Sequence, residues 1–132
     1  MDLKINVPRS KLRELLGSAK YCLHPPFPEH FGISIVEAMA TGCVPIVYKD
    51  GGAWYDVVNK VSDILGYKDI NNIIRHLDSN KDLYVSLRDR SIKISKTFNY
   101  ENFKKNLLKL LNYVLEAERF NTLISQNNHI TL

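Results

Sequence analysis

Residues 21–52 read YCLHPPFPEHFGISIVEAMATGCVPIVYKDGG, and the order of apolar runs and breaks in this stretch decides the fold class. Tyr21-Cys22-Leu23 is a short apolar run of the kind a buried parallel strand shows. Pro25-Pro26-Phe27-Pro28 then forbids regular hydrogen bonding for several residues, which makes a loop at the strand's carboxyl end. From Gly32 to Thr41 the chain is apolar almost all round, through Ile33, Ile35, Val36, Ala38, Met39 and Ala40, with Ser34 and Glu37 as interruptions. That pattern predicts a helix buried on most faces, ended by Gly42 as a carboxyl cap. Val44-Pro45-Ile46-Val47-Tyr48 is a second strand with its proline near the start, where a missing donor matters least. Asp50-Gly51-Gly52 supplies the turn after it.

On the amino-terminal side, Ser10 is the expected cap of an amphipathic helix with Leu12, Leu15, Leu16 and Ala19 on one stripe and Gly17 weakening its end. On the carboxyl-terminal side a short helix is expected over Ala53–Val58, and Ile64-Leu65 is the candidate third strand. Asp69 is the expected cap of a helix with Ile70, Ile73, Ile74 and Leu77 on one side, and a further helix follows over about Lys81–Lys96. Asn99 opens a long last helix whose stripe is Phe103, Leu107, Leu110, Leu111 and Val114. Beyond about Arg119 no period is sustained, so residues 119–132 are expected to fray as a tail behind a domain of residues 1–118. Strands alternating with helices imply a Rossmann-like α/β open sheet of parallel strands with flanking helices. In that architecture ligands bind outside the carboxyl ends of the strands, where Pro25–Phe31 and Asp50–Gly52 fall.

Composition narrows the class. At 132 residues, 45% hydrophobic and 24% charged, the chain has room for one globular domain and no disordered or collagen-like character. No run approaches the ~20 apolar residues of a membrane span, and Met1–Ser10 does not resemble a signal peptide, so the expectation is a cytoplasmic chain without a transmembrane segment. A net charge of +4 favours anionic partners. The densest basic cluster, Lys104, Lys105 and Lys109, falls on a helix where a solvated face is the better reading than a nucleic-acid footprint. Cys22 and Cys43 lack metal-ligand spacing and read as buried reduced thiols.

Seven residues lie between Glu29 and Glu37, the first on the loop and the second inside the predicted buried helix. A carboxylate there needs a partner, because an unpaired buried charge costs several kcal/mol or so. A pair of sugar hydroxyls would serve, and so would a structural lysine or backbone amides. Gly32, at the helix start, would let a phosphate approach the unbonded amides of the first turn, or would permit close packing.

The series Glu29-His30-Phe31-Gly32-Ile33-Ser34-Ile35-Val36-Glu37-Ala38-Met39-Ala40, followed by Gly42, Pro45 and Asp50-Gly51-Gly52, resembles the donor-binding signature of the retaining family 4, or group 1, glycosyltransferases. The likeness is dense over roughly residues 20–58, and around His30-Phe31-Gly32 it is similar to the mannosyltransferases of lipid-linked oligosaccharide synthesis. It implies part of the carboxyl-terminal domain of a two-domain GT-B enzyme, transferring a hexosyl group with retention and needing no metal or cofactor. The donor would be a nucleoside diphosphate sugar, GDP-mannose or a UDP-hexose, and the acceptor a sugar or lipid-linked sugar.

Position by position, Glu29 would contact the donor sugar near the reacting carbon as the catalytic carboxylate. The amides of Phe31, Gly32 and Ile33 would hold sugar hydroxyls and the diphosphate, with the Ser34 hydroxyl as a further phosphate ligand. Glu37 would take the ribose, and Gly51 and Gly52 would shape the loop on the far side of the pocket. His24 and His30 are candidate orienting residues.

Two departures stand out. Ala53-Trp54-Tyr55-Asp56 follows the glycine pair where many members place a proline and a glutamate. The glycine-rich turn, arginine and lysine that precede this region in the family are not matched, and Arg9 and Lys11 come too late in the pattern to replace them. Because stabilising the leaving diphosphate is usually the largest catalytic contribution, low activity of the isolated chain is expected. The competing reading is a non-catalytic nucleotide-sugar-binding module that completes another chain. Homodimerisation or association with an acceptor-domain chain is expected through unpaired sheet edges, and peripheral attachment to a membrane stays open. A flavodoxin-like or regulator-like domain is the weaker alternative, since Tyr21-Cys22-Leu23-His24 leads to neither an acidic cluster nor a phosphate loop.

Overall fold

A computed structural model describes residues 4–25, 28–68 and 70–127. It falls into two compact units, Met1–Thr97 and Phe98–Leu132. The first holds α1 (Arg9–Ser18), β1 (Tyr21–His24), α2 (Ile33–Ala40), β2 (Val44–Tyr48), β3 (Gly66–Tyr67), α3 (Ile70–Ser79) and α4 (Lys81–Ser95). The three strands make one parallel sheet in the order β1-β2-β3, so the α/β open-sheet expectation holds. Tyr21 pairs with Val44 and His24 with Val47 in β1–β2, and Val47 pairs with Gly66 in β2–β3.

Burial follows the sheet order. β2 is central, and Val44, Ile46 and Val47 are at most 1% exposed. Its proline is accommodated by register: the Val44 amide donates to Lys20 O toward β1, so Pro45 lacks its donor on the opposite side, where β3 does not begin until Val47. β1 has no strand on its other side among the described residues, and Leu23 is 49% exposed, so the fully buried strand expected there is a half-buried edge. Helix α2 packs on α4 and on β2, and sends Ile35, Ala38 and Met39 into the core. It ends as the sequence predicts: the Gly42 amide donates to Met39 O and the Cys43 amide to Ala38 O, the paired bonds of a left-handed carboxyl cap.

Several local expectations are corrected. Helix α1 starts at Arg9, one residue before the expected cap, because Pro8 sets the entry and its carbonyl accepts from Leu12; Ser10 lies within the helix. The segment after Gly52 is a π-helical turn over Ala53–Val57 followed by a 3-10 turn over Val58–Lys60. Ile64-Leu65 is not a strand. Asp63–Leu65 forms a 3-10 turn that drops Leu65 into the core, and pairing with β2 starts only at Gly66, against the Trp54 ring. The expected cap Asp69 lies outside the described residues, whereas α3 and α4 occur where predicted, α4 capped by the Asn80 side chain. Both cysteines are free, Cys43 buried and Cys22 partly so, and the hydrogen bond between the two, followed by burial, pushes the Cys43 thiol up.

The second unit is one helix, α5 (Tyr100–Asn127), opened by the Asn99 side chain accepting from the Asn102 amide. It continues through Asn127, past Arg119 where fraying was expected; helical hydrogen bonding persists there although the apolar period fades. No helix among the described residues is long and apolar enough to cross a membrane.

The load on β2 makes a stability prediction. Ile46 is fully buried in the central strand, so Ile46→Ala is expected to destabilise the chain by about 2–5 kcal/mol, read as a fall in the urea midpoint. A change below about 0.5 kcal/mol would place the core elsewhere.

Candidate functional site

Three segments meet at the carboxyl edge of the sheet: the end of β1 at His24, the end of β2 at Tyr48, and the start of α2. Their loops are fastened backbone to backbone. The Gly52 amide donates to Glu29 O at 2.8 Å, and a Cβ on Gly52 would stand 1.5 Å from His30 O. Only glycine allows that approach. The Asp50 side chain tightens the same turn by accepting from the Gly51 amide at 2.8 Å. Gly51 and Gly52 therefore lie directly on the Glu29–His30 backbone.

Glu29 is held at both oxygens. Its Oε2 is 3.0 Å from His24 Nε2, and its Oε1 accepts from the Phe31 amide at 3.3 Å. An ionised carboxylate can only accept, so His24 Nε2 carries the hydrogen of that bond. The imidazole is the larger influence and the Phe31 amide the second, and together they hold the Glu29 carboxyl below the usual carboxylate range. The Glu29 and His24 side chains are 27% and 17% exposed, so the carboxylate is oriented yet reachable. The Phe31 amide is thus committed to Glu29, while His30 is exposed beside the Gly52 contact.

Gly32 precedes α2 in the left-handed region, φ 82° and ψ 62°, and its carbonyl takes the first helical bonds from Ile35 and Val36. A side chain there would be strained and would collide with Ile35 Cδ1 at 2.5 Å. The amides of Ile33 and Ser34 belong to the first turn and have no carbonyl within the helix to bond. Both residues are exposed, so this positive end of α2 faces solvent beside Glu29.

Glu37 lies one turn further along α2 and is not the buried carboxylate expected from sequence. Its side chain is 41% exposed, because α2 turns its Ile33, Ser34 and Glu37 face away from the core. Its partner is the Arg9 guanidinium, whose Nη2 donates to Glu37 Oε1. The two residues line an open cleft of about 460 Å³ between α1 and α2, with Leu12, Arg13, Leu16 and Thr41. Arg9 is the site residue that sequence reasoning set aside; it is 28 positions from Glu37, and no spacing rule joins them. Lys11 is paired with Glu14 on α1. Lys49, at the end of β2, is paired with Asp63 and lies over the Trp54 ring.

The sign of the Glu29 shift sets a pH dependence. A depressed folded value contributes stability above the unfolded value of about 4.3, and this is lost as pH falls through the folded value. His24→Ala is expected to move the Glu29 titration midpoint up toward the ordinary value in carboxyl carbon NMR. An unchanged midpoint would show that the imidazole does not govern this carboxylate.

Comparison with known proteins gives this geometry a family. The sequence profile described as "Glycosyl transferases group 1" matches residues 2–95. Among curated proteins the chain is similar to the GDP-Man:Man(3)GlcNAc(2)-PP-Dol alpha-1,2-mannosyltransferase of Homo sapiens, 40% identical over 51% of this chain and 14% of the relative. The Candida albicans protein of the same name is 38% identical over 46% of this chain and 10% of the relative. That of Dictyostelium discoideum is 27% identical over 84% of this chain and 23% of the relative. The chain thus spans less than a quarter of the length of these relatives. With Glu29 and Glu37 on either side of the first turn of α2, and the profile covering most of the first unit, the chain belongs to the group 1 glycosyltransferases.

Proposed function

We propose that this chain supplies the donor side of a mannosyltransferase that takes GDP-mannose and delivers mannose, with retention, to a growing oligosaccharide on dolichyl diphosphate. The reading is carried by α2: an amide-rich helix start, an oriented carboxylate before it at Glu29, and a solvent-facing carboxylate one turn later at Glu37. From Ile33 to Glu37 is one helical turn, about 6 Å along the axis, which suits a diphosphate and the ribose it esterifies. The diphosphate lies over the Ile33 and Ser34 amides, the ribose hydroxyls donate to Glu37, and the base enters the cleft between α1 and α2. Glu29, held by His24, accepts hydrogen bonds from the hydroxyls of the mannose. GDP-mannose is chosen over a UDP-hexose because the relatives' printed names specify it.

In the transfer, the bond from the anomeric carbon to the diphosphate oxygen breaks as the acceptor oxygen bonds the same face of that carbon. The acceptor hydroxyl proton passes to the departing phosphate oxygen, so no side chain of this chain acts as nucleophile. Helix α2 stabilises the charge that grows on the diphosphate, but Lys49, the cation at the end of β2, is paired with Asp63. Efficient turnover is therefore expected to need further cationic and acceptor-binding segments.

Calorimetric titration with GDP, GDP-mannose and UDP tests the reading. GDP is expected to bind, and Glu37→Gln to weaken it about 10- to 100-fold, the loss expected when a charged acceptor of two hydroxyls is removed. Glu29→Gln is expected to weaken GDP-mannose more than GDP, since its contacts are with the sugar. Absence of binding by any of the three at millimolar concentration would refute the donor assignment.

A further inference from the structure

The carboxylate assigned to the ribose has a partner within the chain. Arg9 opens α1, and its guanidinium reaches across the cleft to donate to Glu37 Oε1. The contact is made at the tip of a side chain that is 89% exposed, while Glu37 is 41% exposed, so Arg9 is laid on the carboxylate from the solvent side and contributes almost no packing. Both residues line the cleft between α1 and α2, together with Arg13.

A ribose diol approaching Glu37 through this cleft meets the guanidinium first. Its two hydroxyls are donors, as are the Arg9 nitrogens, and both compete at Oε1, the oxygen that Arg9 holds. We infer that Arg9 is a built-in competitor of the nucleoside, an autoinhibitory contact that is released when both ribose hydroxyls engage the Glu37 carboxylate. This rests on the assignment of Glu37 to the ribose made above. The device is gentle by construction. An exposed ion pair is weak and screened, so a nucleotide with its diphosphate anchored on α2 displaces Arg9 readily, whereas a free sugar or nucleoside without that anchor does so poorly. The contact thereby favours ligands that engage both ends of the site over those that engage Glu37 alone.

The measurement is calorimetric titration of GDP and of 2′,3′-dideoxy-GDP into the wild type, Arg9→Gln, Glu37→Gln and the double variant. Arg9→Gln is expected to tighten GDP about two- to fivefold, in keeping with the weakness of exposed pairs. The gain should vanish for the dideoxy nucleotide, which lacks the competing hydroxyls, and shrink in the Glu37→Gln background, where the ion pair that holds Arg9 is gone. Unchanged or weaker GDP binding by Arg9→Gln, with Glu37→Gln still weakening it, overturns the competitor role alone. Equal tightening for both nucleotides also overturns it, since the effect would then be independent of the diol. If Glu37→Gln leaves GDP binding unchanged, or no GDP binds, the ribose assignment falls and this inference falls with it. Arg9→Ala serves as the second variant, and an unchanged melting temperature for both would confirm that the exposed side chain is not a folding element.

Discussion

The Gly52 amide donating to Glu29 O, with no room for a side chain between Gly52 and His30 O, ties the loop after β2 to the loop after β1. Three consequences follow from that one contact. The turn at Asp50–Gly52 is seated against the entry to α2, so the first amides of the helix stand at the sheet's carboxyl edge. Glu29 is fixed in backbone, which lets His24 from β1 and the Phe31 amide fix it in side chain. The π-helical turn at Ala53–Val57 leaves the same contact directly and carries Trp54 into the core, where its ring meets Gly66 of β3. The Gly52 contact thus couples the loops at the carboxyl edge to the sheet, together with the His24–Glu29 bond.

Much of this was legible before any coordinates. β1, α2 and β2 follow from apolar runs of different length separated by proline and glycine, signals that local chemistry imposes strongly. The cap at Gly42 and the turn at Asp50–Gly52 also follow from sequence, whereas the close approach of Gly52 to His30 O is set by the meeting of two loops. What escaped depends on tertiary pairing. Ile64-Leu65 has strand-like composition, yet Leu65 is drawn into the core from a 3-10 turn and the ladder forms on Gly66-Tyr67, which composition does not favour. Glu37 was read as buried because its neighbours are apolar; the rotation of α2 against α4 and β2, which no local pattern specifies, leaves that face in solvent. Arg9 joins the site through the packing of α1 on α2 rather than through its place in a motif.

The two carboxylates of the site differ in a way that suits different roles. Glu29 is held by two hydrogen bonds that fix its oxygens and favour its ionised form, which fits the proposed contact with the donor sugar. Glu37 is more exposed and is paired with the Arg9 guanidinium, which fits the proposed exchange of that partner for a ribose. Between them the first-turn amides of α2 face solvent at the positive end of the helix. In the proposed reading, the neutral amides take the diphosphate while the two carboxylates take the sugar and the ribose.

The most direct test of the account is the amide ¹H–¹⁵N spectrum of the protein titrated with GDP. The account predicts that the largest shifts fall on Gly32, Ile33 and Ser34 at the start of α2, with smaller ones at Gly51, Gly52 and Glu37, and saturate together. Shifts confined to α3 and α4, or a spectrum unmoved at millimolar GDP, would contradict the claim that the first turn of α2 is the diphosphate site.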